Sequence, residues 1–347
     1  MKGSEGRPGW KNVQLWFEGA EAWPIRDYTP SSSRASEAFN LKFPHLSAKS
    51  ERGNIRFMES DDDIRYTVLG MILLEEKGTD WSTWDIGKLW HSHLAYSQVC
   101  TAETQAFFLN FAQVTSHMET SVPDDWEQKK ALGASLFKPL QGMDRSANPG
   151  GRTGLRFGRE PAAGSGARLA GRFFLSCEKN GIYGEMFTAA MIAAAFVETD
   201  PRKLVEIGLS EIPTQSRLAH DIRKAVEIAG LAKDQLELVE KVWDAFKHYH
   251  EVHTNNNAAL VVASLVFAEG DFEKAITTAV LGGWDTDCNG ATVGSIMGAM
   301  LGAGQLPESW TSKLNDTLYA EFSGFHPIAI SECARRSYEV FRKINPV

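Results

Sequence analysis

Asp285 and Asp287 stand one residue apart in GGWDTDCNGATVGSIMGAMLGAG, the stretch from Gly282 to Gly304. Residues two apart on a helix face different ways, so both carboxylates reach one point only where the backbone is still in a turn. Gly282 and Gly283 permit such a turn. Paired oxygen donors with Thr286 between them suit magnesium, manganese or calcium. Helix capping is the ordinary alternative, since an Asp satisfies free backbone N–H groups and suits the positive end of the dipole, although one cap needs only one Asp.

A second acidic run, Asp61-Asp62-Asp63, precedes IRYTVLGMILLEEKG. Taken alone it reads as a solvated turn. If the two acidic starts meet, four or five carboxylates share one pocket, and cations or protons must offset their charge. A pair of hard cations there could grip the vicinal hydroxyls of a sugar or activate a water. Cys288, next to Asp287, reads on its own as a small, partly buried side chain.

The elements that must position these groups are helical. Gly294, Gly298 and Gly302 recur every four residues beside Ala299 and Ala303, which predicts a central helix with one face open to close backbone approach. Ile64, Val68, Met71 and Ile72 follow the helical period, and Gly78 closes that helix. TDWSTWDIGKLWHSHL opens another, capped by Thr79 or Ser82, and ETQAFFLNFAQVTSHM continues the pattern. EMFTAAMIAAAFVET is apolar nearly all round, hence buried, with Asp200 and Pro201 expected to stop it. SRLAHDIRKAVEIAG, DQLELVEKVWDAFKHYHEV, NAALVVASLVFAEG and DFEKAITTAVLGG add four more helices. Residues 1–50 read as loops with one short helix, and 143–171, basic and glycine-rich, as irregular. Period-two alternation is scarce. The chain is therefore expected to be all-α, with residues 1–347 forming one compact many-helix domain.

Of 347 residues, 43% are hydrophobic and 23% charged, an ordinary globular composition. The net charge of −8 and the lack of a basic run with aromatics argue against a nucleic-acid partner and for a small-molecule substrate. MKGSEGRPGW has no apolar signal-peptide core, and the apolar stretches are too short or interrupted to cross a bilayer. A cytoplasmic protein without membrane contact is expected. Cys100, Cys177, Cys288 and Cys333 are scattered, which disfavours a zinc ribbon or disulfide framework.

DDDIRYTVL and GGWDTDCNGATVGSIMGAMLGAG together resemble the ADP-ribosylglycohydrolase family, related to nitrogenase-reactivating glycohydrolases and ADP-ribosyl-acceptor hydrolases. NGIYGEMFTAAMIAAAFVE from Asn180 and HTNNNAAL from His253 extend the resemblance over most of the chain. It implies a single-domain, all-α orthogonal bundle that uses two magnesium or manganese ions to hydrolyse the bond at the anomeric carbon of ADP-ribose, free or protein-linked. The implied metal ligands are Asp61, Asp62 and Asp63 with Thr67 as the threonine that follows, or Ser60, Asp61 and Asp62 in the register one residue earlier. Asp285, Asp287 and Cys288 form the second implied set. Cys288 departs from the family's hydroxyl, and a thiol suits softer ions better than magnesium. Gly181, Tyr183 and Gly184 fall in a loop implied to wrap substrate phosphates, or they shape the entrance to the buried helix. Asn256, in the run Asn255-Asn256-Asn257 after His253, is a substrate-contact candidate, with capping and loop support as the alternative. The resemblance also implies a glycine-rich N-terminal helix bearing a catalytic acid, for which Glu5 is the available residue. Cys288, the start of the chain and the stretch after Asn148 support a rival reading, a non-catalytic member that binds or scaffolds.

Overall fold

The computed structural model describes residues 7–42, 47–99, 104–135 and 180–345. Glu5, Cys100, Cys177 and the 143–171 stretch lie outside the described residues. Helices dominate, as the sequence predicts. In chain order they are α1 (Gly9–Gly19), α2 (Ala35–Phe39), α3 (Asp62–Lys77) and α4 (Thr83–His93). A π-helical segment, Thr104–Phe111, then runs into α5 (Ala112–Val114), followed by α6 (Trp126–Ser135), α7 (Asn180–Ala194) and α8 (Pro201–Ser210). The remainder comprises α9 (Arg217–Leu231), α10 (Gln235–Phe246), α11 (Thr254–Ala268), α12 (Phe272–Leu281), α13 (Thr286–Leu301), α14 (Glu308–Thr311) and α15 (Ile330–Ile344). The described strands are two residues each, β1 (Thr317–Leu318) and β2 (Ile328–Ala329), paired antiparallel.

Local chemistry explains several helix starts. Asp61, Asp200, Ser216, Asp234 and Asp271 each accept a backbone N–H in the first turn of α3, α8, α9, α10 and α12. Of the two caps expected for α4, Ser82 is the one used, and Asp85 reaches back to its N–H at 2.8 Å. Asp200 and Pro201 start α8 rather than stop α7, which already ends at Ala194. A proline at the first helical position loses no hydrogen bond, so the same dipeptide suits a start as well as a stop. Residues 7–42 and 47–50 hold two α-helices and a short 3-10 turn, more helix than expected.

The hub is α11, not the glycine-rich α13. All of α11 except Ala258 and Phe267 is buried, and α7, α8, α9, α10, α12 and α13 pack around it. In α13 burial is confined to the face carrying Cys288, Asn289, Thr292, Val293, Ile296 and Met297. The expected close approach along its glycines is absent: a Cβ at Gly294 would make only ordinary contact with Ile276, and one at Gly298 would meet nothing within 4 Å. The tight crossings lie just before the helix. A Cβ on Gly282 would sit 2.2 Å from Leu260 Cδ2, and one on Gly283 2.3 Å from the backbone carbon of Gly9. Gly283 also adopts φ +72°, a conformation that side chains disfavour.

Among the described residues, three apolar clusters form the interior. The largest spans α7 to α13, the second gathers α3, α4, the π-helical segment and the β pair, and the third joins α1 and α2 to Val239 and Leu281. The starts of α1, α3 and α13, one from each cluster, converge on the 282–288 turn.

Candidate metal centre

The two acidic helix starts do meet. Cys288 Sγ lies 3.7 Å from Asp63 Oδ1, and ligand atoms of Asp63, Asp287 and Cys288 all fall within 4.8 Å of one another. Asp63 and Cys288 are buried, whereas Asp287 is exposed and leaves that side open to solvent. Asp61 caps α3 through a 2.7 Å bond from the Ile64 N–H. Crowding by protein atoms, reinforced by the charges of Asp62 and Asp287, raises its carboxyl to about 6, against opposing help from that N–H and from Arg65. Arg65 is itself held by Glu321 and by the Gln98 carbonyl at 3.3 Å.

Asp285 behaves differently from the other Asp caps. It occupies the N-cap position of α13, yet its side chain makes no capping bond. Its backbone N–H donates to Asn257 Oδ1 at 3.3 Å, and the same oxygen accepts from Asn289 Nδ2 at 2.8 Å. Asn257 Nδ2 donates in turn to the carbonyls of Glu251 and His253, both at 2.9 Å. Asn257 thus fixes the acidic turn to the start of the hub helix. Its position after His253, inside a polar triplet opening an apolar helix, was the sequence signal for this role.

The other members of that triplet face elsewhere. Asn256, expected as a substrate contact, is fully buried and donates to the His250 carbonyl at 3.1 Å, which fits the alternative of loop support. Asn255 donates at 2.6 Å to Asp221, which also accepts from Tyr249 at 2.7 Å. His253, not an Asn, caps α11, accepting the Asn255 N–H at Nδ1. Gly181, Tyr183 and Gly184 lie in the first turns of α7 and not in a loop. A Cβ on Gly184 would meet Thr254 Cγ2 at 2.4 Å, so this glycine lets α7 and α11 touch. Tyr183 is half-buried at the same end.

Beneath the turn, α7, α11 and α13 enclose a cavity of about 20 Å3 lined by Thr188, Asn257, Asp285, Asn289 and Thr292 among others. Such a space holds one water and is far below the roughly 300 Å3 of a small-molecule site.

Two carboxylates and a thiol converging at ligand spacing suit a divalent cation. Ser60 Oγ, next to Asp61 in sequence, is buried with no hydrogen-bond partner among the described residues. The family model described as ADP-ribosylglycohydrolase matches residues 23–343. The chain belongs to the ADP-ribosylglycohydrolase family. This coverage takes in both acidic helix starts, and the all-α fold of the ADP-ribosylglycohydrolase type agrees with it. No curated protein matches the chain. Among the described residues, no helix is long and apolar enough to cross a membrane.

Proposed function

We propose that this ADP-ribosylglycohydrolase relative hydrolyses an N- or O-glycosidic bond at the anomeric carbon of ADP-ribose, carried by a small molecule or a protein, in the cytoplasm. The convergence of Asp63 with Asp287 and Cys288 carries the reading. Two magnesium or manganese ions are the proposed cofactors, with Asp61, Asp62 and Asp285 completing the ligand sets. Divalent cations bound there supply Lewis acidity and offset the carboxylate charge.

The chain's own residues do the remainder. Asn257 holds the turn so that Asp285 and Asp287 keep one orientation. Exposed Asp287 faces the side from which a sugar arrives, while the first turn of α7, with Tyr183, is the proposed neighbour of the diphosphate.

The test is release of ADP-ribose from N-linked and O-linked conjugates with magnesium, with manganese and with chelator. Metal-dependent release from either conjugate supports the reading. Binding of ADP-ribose without release under every condition supports a non-catalytic member, the alternative that the Cys288 departure favours.

A further inference from the structure

The thiol of Cys288 stands where only oxygen donors would suit magnesium. We propose that Cys288 makes this a mixed sulfur and oxygen centre that selects a thiophilic divalent cation, of the zinc, cobalt or cadmium class, over magnesium. The inference rests on the metal-centred reading above and replaces its magnesium or manganese, at the position that Cys288 faces, with a softer ion.

Geometry supports it. A tetrahedral ion with a sulfur ligand near 2.3 Å and an oxygen ligand near 2.1 Å sets those two atoms about 3.6 Å apart. Cys288 Sγ donates a hydrogen bond to Asp63 Oδ1 at 3.7 Å, and an ion replacing the thiol proton would keep the two atoms at that spacing. Magnesium binds through hard oxygen donors and coordinates sulfur poorly. Asp287 offers a third donor within 4.8 Å of the other two, and its exposure leaves the ion reachable from solvent. The burial of Cys288 and Asp63 excludes competing water from the other side. On binding, the Sγ–H bond is exchanged for an Sγ–metal bond and the proton passes to solvent.

Full-length protein is stripped with chelator and titrated with cadmium while thiolate-to-metal charge-transfer absorption is followed in the ultraviolet. The same titration is run on a variant with Cys100, Cys177 and Cys333 all changed to Ser, and on Cys288→Ser and Cys288→Thr. One equivalent of cadmium should produce the band in the wild type and in the triple variant. Both Cys288 variants should lack it and bind cadmium at least about tenfold more weakly relative to magnesium. A silent triple variant, a band that survives in the Cys288 variants, or displacement of cadmium by equimolar magnesium would each overturn the proposal. The triple variant keeps the test decisive even if the Cys288 variants misfold. A sulfur band without ADP-ribose binding under any metal would defeat the proposed function and leave the ion preference standing. Magnesium-supported hydrolysis without a band would do the reverse.

Discussion

Asp61 and Asp285 hold the same place at the starts of two helices and use their carboxylates differently. Asp61 caps α3, whereas the Asp285 side chain makes no capping bond. Asp61→Ala should therefore cost about 0.5–2 kcal/mol in denaturant unfolding, the usual loss for a cap. Asp285→Ala should show no such loss and should instead abolish metal uptake in a calorimetric titration. A cap-sized destabilisation with uptake intact would make Asp285 structural. Asn257 acts through its neighbours: Asn257→Ala should weaken metal binding by roughly 10- to 100-fold, the range typical of residues that orient ligands. It should also destabilise the protein by about 1–3 kcal/mol, because it strands the Asn289 amide and the Asp285 N–H in a buried setting. The DxD beside two glycines singled out the acidic turn in the sequence, because one helix cap needs only one Asp. Asn257 was not separable from Asn255 and Asn256, since three identical side chains in one helical turn differ only in the neighbours they face.

At the scale of elements, the glycines before α13 matter more than those within it. Gly283→Ala should destabilise strongly, because the added methyl meets the Gly9 backbone and the φ of +72° disfavours it, whereas Gly298→Ala meets nothing and should be neutral or slightly stabilising. Thermal unfolding of the two variants checks the contrast, and equal effects would contradict this account of how α1 is seated. A four-residue glycine spacing announces a bare helix face, but only the tertiary arrangement says whether another backbone comes to it. The same limit explains why α11 was not seen as the hub: apolar composition predicts burial, and six neighbouring helices are a property of the packing. The resemblance implied a loop at the start of α7, yet contact with Thr254 makes Gly184 a residue that fits there in a helix.

Over the whole molecule, three apolar clusters meet at the acidic turn, so the centre depends on parts of the chain remote in sequence. One tie between them is Asp27, which pairs with Arg52 at 3.0 Å and with Lys313. Burial pushes the Asp27 carboxyl up, but the Lys313 bond, the Tyr28 N–H and Arg52 together hold it below its ordinary value of 3.8. A depressed folded-state value means that the stabilisation is complete above about pH 4 and is lost as pH falls through the folded value. Asp27→Asn should thus lower the melting temperature at pH 7 and converge with the wild type in strong acid. A gap that stays constant with pH would rule out the charge as its source. The all-α class was readable from period and caps alone, because both are local. Joining of the two acidic starts, 225 residues apart between Asp63 and Cys288, could be posed from sequence but not settled by it.

The most direct test of the central claim is ADP-ribose release by the chelator-stripped full-length chain, measured before and after divalent cation is restored and compared with Asp287→Asn. The account predicts no release from the stripped protein, recovery on adding cation, and no recovery in Asp287→Asn with its fold intact. Release that persists without cation, or that Asp287→Asn retains in full, would contradict it.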